Sequence, residues 1–222
     1  MRSAMRGLVR GVGLGVVPAA LLLGTVAGCS AEPEAARPAG RTASAKGGDD
    51  AEGGKAGGAQ GAEKGGSVGG SGSPCALPVT FDLAASWEPE AVDTALGALK
   101  QGPVTLVCEI DAKPAGNIGF MRVWTGGKRG DDARKALEAF VAAESKSREQ
   151  EKYGETKAGE FAAAEVSYLN TDDALDAPKK ERALAFTTPK GVVLLHLGGL
   201  DTQEHEQMLP AYELAKKSMS GS

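Results

Sequence analysis

The stretch that decides the fold is VTLVCEIDAKPAGNIGFMRVWT, residues 104–125. Apolar side chains alternate along 104–110, which is typical of a strand with one buried face. Residues 111–116 have the composition of a turn. Residues 118–125 are apolar on both faces, which predicts a central strand. Two apolar strands across a short loop predict an antiparallel hairpin.

Outward from this hairpin, the hydrophobic spacing predicts further strands and helices. Asp131 and Asp132 suit the start of a helix, and Pro210 either kinks the last helix or marks its start. Because no helix-separated parallel units occur, we expect an α+β domain with a mainly antiparallel sheet packed by two or three helices. The strands are predicted at 79–83, 153–157, 162–168, 182–187 and 192–197, and the helices at 133–148, 202–217 and, more weakly, 90–100.

The N-terminus predicts export and lipid attachment. A basic start and an apolar run over 11–23 form a secretory signal, and this run is shorter than the ~20 residues of a membrane-spanning helix. Val26-Ala27-Gly28-Cys29 resembles the lipobox of bacterial lipoproteins. The resemblance implies that 1–28 is removed, that Cys29 is acylated, and that the protein is anchored at the extracytoplasmic face of the cell membrane. The alternative is an ordinary signal peptide with a chance cysteine.

Composition divides the remainder of the chain in two. Residues 29–74 are rich in Gly and Ala, with Val68 as the only large aliphatic residue after Ser30. Such a segment buries too little apolar surface to offset its chain entropy, so we expect a disordered tether. Residues 75–222 are long enough for one domain with its own core.

Charge restricts the partners of the mature protein. Loss of the three signal arginines takes the formal net charge from −4 to −7. Nucleic-acid binding needs a concentrated basic face, so we expect no nucleic-acid partner. Membrane association is expected to come from the lipid on Cys29. The candidate binding partners are an envelope protein and a lipid-like ligand. We expect no cofactor.

Two further cysteines lie in the exported part of the chain, Cys75 and Cys108. Thiols in an oxidising compartment tend to pair, so we expect a disulfide between them. The alternative is a reactive thiol, which needs a neighbouring base. The chain offers only His196 and His205 for that role.

The order of the predicted elements resembles the PsbP/LpqN-type domain of actinobacterial cell-envelope lipoproteins. The resemblance covers residues 79–218. It is carried by the strand into Trp87, the hairpin from Cys108 to Phe120, the middle helix, the later hairpins and the C-terminal helix. It implies a binding or scaffolding role and no shared catalytic set, which is an argument by analogy.

Several residue groups invite a metal-site or acid–base interpretation. His205-Glu206 begins like a zinc-protease motif, but Leu209 replaces its second histidine. His196 lies inside an apolar strand pattern, which indicates a buried, hydrogen-bonded residue. The pair Glu109 and Asp111 resembles an acid–base pair but has no histidine partner nearby in sequence. We therefore expect no metal site. One alternative, a calcium-binding loop, uses Asn170, Asp172, Asp173 and Asp176.

Trp87 and Trp124 are the only tryptophans and are candidates for lining a ligand groove. No P-loop or Gly-x-Gly-x-x-Gly motif occurs. We therefore expect a membrane-anchored, non-catalytic binding or scaffolding module of the cell envelope. The alternative is an extracytoplasmic hydrolase or thiol enzyme that uses His196 or His205.

Overall fold

Two antiparallel sheets and two helices form the protein. The computed structural model describes residues 61–222, apart from positions 94, 96, 173 and 174. A short 3-10 turn, Lys113–Ala115, joins β5 to β6. The elements are β1 (Lys64–Val68), β2 (Val79–Ala84), β3 (Glu88–Ala91), β4 (Lys100–Gln101), β5 (Val104–Asp111), β6 (Gly119–Gly126), α1 (Ala133–Glu144), β7 (Arg148–Ala158), β8 (Phe161–Asn170), β9 (Lys179–Thr188), β10 (Gly191–Gly199), α2 (Thr202–Ser218) and β11 (Ser220–Gly221).

The larger sheet has eight strands in the order β3-β5-β6-β10-β9-β8-β7, with β4 beside β5. The smaller sheet has the order β1-β2-β11. All strand pairs of the two sheets are antiparallel. The hairpin predicted from residues 104–125 is β5-β6, and β10 lies beside it at the centre of the sheet. The α+β class with a mainly antiparallel sheet is confirmed.

Each face of the larger sheet has its own core, because successive side chains of a strand point to opposite faces. On one face, Leu194 packs with Phe140 and Leu137 of α1. On the other face, Leu195 packs with Tyr212 of α2 and Phe81 of β2. Burial on both faces explains why the sequence of β10 is apolar throughout.

The two helices begin where their sequences predict. Asp132 caps α1, since its carboxylate accepts hydrogen bonds from the backbone N–H groups of Arg134 and Lys135. Asp201 caps α2 in the same way, and Pro210 lies inside that helix. The first helix ends at Glu144, four residues before the predicted end, because β7 already begins at Arg148.

The weak helix predicted over 90–100 is wrong. Glu88–Ala91 instead forms a strand that pairs with β5, with Pro89 opposite Ile110. Lys100–Gln101 pairs with the same strand. Proline is tolerated in an edge strand such as β3, and β5 offers a free edge there, so tertiary pairing overrides a short helical pattern.

The predicted boundary between tether and domain at residue 74 is also wrong. Residues 64–68, placed in the tether, form β1 and pair with β2, and Val68 is fully buried. The glycines permit this pairing: a Cβ at Gly65 would lie 2.5 Å from Ala85 Cα. Gly69 has φ +100°, where a Cβ would clash with Val79 O. The glycines here serve close strand packing.

Candidate functional site

A buried acid–base pair lies on the α1 face of the larger sheet. Glu181 of β9 and His196 of β10 are each 1% exposed. His196 Nε2 and Glu181 Oε2 are 3.1 Å apart. The His196 ring meets Phe140 of α1 edge-on, with centroids 5.3 Å apart. Helix α1 therefore covers the imidazole, and Glu181 fixes its orientation.

Lys179 is the second partner of the Glu181 carboxylate. Its Nζ lies 2.9 Å from Glu181 Oε1 and donates a hydrogen bond to Gly199 O across 3.2 Å. Burial alone would raise the pKa of the Glu181 carboxyl, but the His196 imidazole and the Lys179 ammonium outweigh it and lower that pKa below its usual value. Glu181 is therefore a carboxylate at neutral pH, with one partner on each oxygen.

These residues form the floor of an open cavity of about 300 Å³, called the Glu181 cavity here. It lies at the end of the sheet where α1 ends and α2 begins. Arg122 of β6 forms one wall, ion-paired through Nε with Glu109 at 2.6 Å and stacked over the ring of Phe120. Ile118, Glu144, Gly198 and Leu200 also line the Glu181 cavity.

Gly198 shapes the floor of the Glu181 cavity. Its φ lies outside the left-handed range, so the backbone at this position accepts any residue. A Cβ there would lie 3.2 Å from Glu181 Oε2 and 3.4 Å from His196 Cε1. Because Gly198 has no side chain, the space next to Glu181 and His196 stays open. A glycine inside a strand often marks such a close approach.

Two exposed aliphatic side chains stand at the mouth of the Glu181 cavity. Ile118 is 57% exposed and Leu200 is 62% exposed. The backbone N–H of Leu200 donates to Ile118 O across 2.9 Å, which holds the two residues together. The cavity thus combines a charged, hydrogen-bonded floor with an apolar rim, an arrangement that fits a molecule with one polar and one apolar end.

The other histidine, His205, lies in the first turn of α2 and is 2% exposed. Burial lowers its pKa to about 4, helped by the positive charges of Arg182 and Lys180. It is therefore a neutral, buried residue at neutral pH. The zinc-protease interpretation of His205-Glu206 finds no support: within the described residues, no group of three or more His, Cys, Asp and Glu could hold a metal ion. Glu206 instead ion-pairs with Lys180.

The predicted disulfide between Cys75 and Cys108 is confirmed, with Cα atoms 5.8 Å apart. It joins the segment before β2 to β5. Both sulfurs are bonded to each other in this structure, so neither Cys75 nor Cys108 is the free thiol that a thiol enzyme would need. In addition, Cys108 belongs to the core on the α2 face, whereas His196 lies on the α1 face.

The two tryptophans do not line one groove. Trp87 belongs to the core on the α2 face, and Trp124 packs edge-on against Phe140 on the α1 face. Both are buried. Strand alternation separates them, because β6 turns Trp124 away from the face that holds Trp87.

The remaining sequence candidates are placed as follows. Glu109 pairs with Arg122, and Asp111 Oδ1 accepts a hydrogen bond from the backbone N–H of Lys113, so these two acids have separate partners. Asn170 is buried, and its Oδ1 accepts a hydrogen bond from Ser145. Asp173 and Cys29 lie outside the described residues.

Sequence reasoning missed Glu181 and Lys179, which come before an apolar strand and resemble an ordinary charged loop. It also missed a Gly-x-Ser-x-Gly spacing at residues 65–69. In hydrolases this motif places the serine on a sharp turn between strand and helix. Here Ser67 lies within β1, opposite Asp82, so the motif lacks its structural context.

Comparison with known proteins places the chain among lipoproteins. No curated protein matches its sequence. None of the helices in the described part of the chain is long and apolar enough to cross a membrane. A family model described as uncharacterised lipoprotein, Lipoprotein_23, matches residues 43–219. The match covers most of the chain, and the protein therefore belongs to this family of uncharacterised lipoproteins.

Proposed function

We propose that this lipoprotein is a non-catalytic binding module of the cell envelope, anchored through a lipid on Cys29 at the extracytoplasmic face of the membrane. The anchor rests on the lipobox resemblance and on membership of a lipoprotein family. The PsbP/LpqN-type resemblance, with its actinobacterial origin, supports a binding role by analogy.

The Glu181 cavity carries the binding proposal, and a lipid-like molecule is the ligand that fits it. The polar end of such a ligand would lie near Arg122 and Lys179. Arg122 is held to Glu109 through Nε, which leaves its terminal nitrogens able to donate to ester, hydroxyl or phosphate oxygens. The apolar end would cover Ile118 and Leu200, whose exposure leaves apolar surface in water.

Co-purification tests the ligand. The full chain is extracted from membranes in detergent, and bound lipids are identified by mass spectrometry. We expect a lipid enriched over the bulk membrane composition, and its loss in Leu200→Glu. Leu99→Glu is the matched control, because Leu99 is 55% exposed and does not line the Glu181 cavity. A bound protein in place of a lipid, or equal loss in both variants, would contradict the lipid-like ligand.

A second function is favoured by one observation, the 3.1 Å contact that orients His196 against Glu181. Such a pair resembles the base and orienting acid of a hydrolase, and His196 Nδ1 has no hydrogen-bond partner in the described structure. Turnover of ester or peptide substrates by the purified chain, abolished in His196→Ala, would establish the enzyme and overturn the binding module.

The anchor has its own test. We expect the wild-type chain to fractionate with membranes and to incorporate labelled fatty acid. The Cys29→Ala chain should do neither, since a lipid on this residue is the proposed membrane attachment. A Cys29→Ala chain that still fractionates with membranes would refute anchoring through this residue, whatever the result at the Glu181 cavity.

A further inference from the structure

Strand β7 forms an open edge of the eight-stranded sheet. It runs for 11 residues, Arg148–Ala158, and most of them are exposed. No described strand pairs with its outer side. A long, unpaired edge is a template for pairing with another chain. Its regular pairing with β8 extends from Lys152 to Ala158, after a register shift that follows Glu149.

We propose that β7 pairs with β7 of a second copy of this chain, antiparallel and in one register, with the two-fold axis at Gly154. The second copy is argued from charge complementarity along the edge. The proposal is independent of the Glu181 cavity and of its ligand.

Geometry limits the registers available to such a pair. Along a strand, alternate residues direct their backbone N–H and C=O groups to the same side. Because the inner side of β7 is bonded to β8, only every second residue can bond to a partner. In a symmetric antiparallel pair, each residue must therefore face a residue of the same parity, and the two-fold axis must pass through a residue.

Charge favours two of these registers, with the axis at Gly154 or at Thr156. With the axis at Gly154, Glu151 faces the partner's Lys157, and symmetry repeats the contact, which gives two opposite-charge pairs. Lys152 faces the partner's Thr156, and Tyr153 faces the partner's Glu155. With the axis at Tyr153, Glu151 would face the partner's Glu155. With the axis at Glu155, that residue would face its own copy. Like charges directly opposite each other are destabilising.

With the axis at Thr156, Glu155 would face the partner's Lys157, which also gives two opposite-charge pairs. That axis would centre the pairing nearer the end of β7, where the backbone N–H groups of Gly159 and Glu160 already donate to Lys216 O and Met219 O, so we place the axis at Gly154.

An axis at Glu151 or Lys152 would place that residue opposite its own copy. Charged edges protect proteins against random strand pairing. Here the charges, together with the bonded end of β7, leave the pairing with its axis at Gly154. Glu151 already accepts from Arg148 at 3.1 Å, and a carboxylate can accept from a second cation as well.

Gly154 allows close approach at the axis. It is exposed, and a Cβ built there meets no atom within 4 Å. A cysteine at this position fits the monomer, and in the dimer it would face its own copy with Cβ atoms ~5 Å apart, close to disulfide geometry.

Mild oxidation of the full chain, purified from membranes in detergent, tests the pairing. Gly154→Cys should form a reducible covalent dimer. Lys152→Cys is the matched control, since in this register the two copies of residue 152 lie about 14 Å apart. The wild type controls for Cys29. Equal cross-linking of both cysteine variants, or none in Gly154→Cys, would overturn the proposal.

Charge reversal tests the register. In the Gly154→Cys background, Glu151→Lys or Lys157→Glu should each reduce the rate of cross-linking about tenfold, because each change turns two attractive pairs into repulsive ones. The double variant Glu151→Lys/Lys157→Glu should restore the rate. A double variant no faster than either single one would contradict the Glu151–Lys157 contact. Circular dichroism of each variant shows whether the fold is kept.

Discussion

Tyr212 of α2 donates its hydroxyl hydrogen to Glu165 Oε1 of β8 across 2.9 Å. Lys216, one turn further along α2, lies 3.0 Å from both oxygens of the same carboxylate. The Tyr212 side chain is fully buried, and this burial, with the nearby Glu165, raises its pKa well above the usual value. The contact fastens α2 to the larger sheet through a neutral phenol and a cation that share one carboxylate.

Removing the phenol hydroxyl should have a modest effect. Tyr212→Phe keeps the ring and leaves Lys216 on Glu165, so we expect a loss of about 1 kcal/mol in the free energy of unfolding. Lys216→Met should cost more, about 2 kcal/mol, because it leaves a partly buried carboxylate without a cation. Urea denaturation measures both. A Tyr212→Phe protein that loses more than Lys216→Met would contradict this order.

The disulfide should stabilise the fold mainly by restricting the conformations of the unfolded chain. Cys75 and Cys108 are 33 residues apart in sequence, and closing such a loop is expected to stabilise the fold by about 3–4 kcal/mol. Cys75→Ala/Cys108→Ala should lower the unfolding free energy by that amount in denaturant titrations. In the wild type, alkylation without reduction should modify neither cysteine, and modification of both would exclude the bond.

His205 should make the protein sensitive to mild acid. Its pKa is about 4 when folded and 6.5 as the ordinary value, so between these two values the unfolded state binds the proton and the folded state does not. The free energy of unfolding is therefore highest above pH 6.5 and falls as the pH drops toward 4, by about 3 kcal/mol in all. His205→Gln should flatten this part of the pH profile of unfolding. An unchanged slope would show that His205 is not the titrating group.

Glu181 should affect the pH dependence of unfolding at a lower pH than His205 does. Because its pKa is lowered in the folded state, its contribution is present above the ordinary value of 4.5 and is lost as the pH falls through the folded value. At neutral pH, Glu181→Gln should cost about 2–3 kcal/mol, since it leaves Lys179 beside a neutral, buried partner. Glu138→Gln is the control: its pair with Arg134 is about half exposed and should contribute little. Equal losses in the two variants would contradict this assignment.

A substitution at Val68 tests where the folded domain begins. Val68 is the last residue of β1, and its side chain is fully buried in the core on the α2 face. Val68→Asp should destabilise the protein by about 3 kcal/mol or more, because it buries an unpaired carboxylate. Ser71→Asp is the control in the same segment, since Ser71 is exposed. If Val68→Asp unfolded at the same denaturant concentration as the wild type, β1 would not belong to the folded domain.

The sequence by itself determined the elements whose signals are local. The alternation along 104–110, the doubly apolar patterns of 118–125 and 192–197 and the cap Asp132 all act within a few residues. They predicted β5, β6, β10 and the start of α1. Cys75 and Cys108 are the only cysteines after Cys29 and can form a single pair, and the lipoprotein family is shown by the family match.

Tertiary structure decided what depends on distant partners. β1 forms because Val68 finds a core and the glycines beside it can approach β2 closely, and its own composition predicts a tether. Glu88–Ala91 becomes a strand because β5 presents an open edge. The Glu181 cavity arises because Lys179, His196 and Arg122, from three strands, meet over the space that Gly198 leaves. Whether these side chains lie close together depends on the order of the strands and on the face of the sheet to which each side chain points. Neither can be inferred from a local sequence pattern.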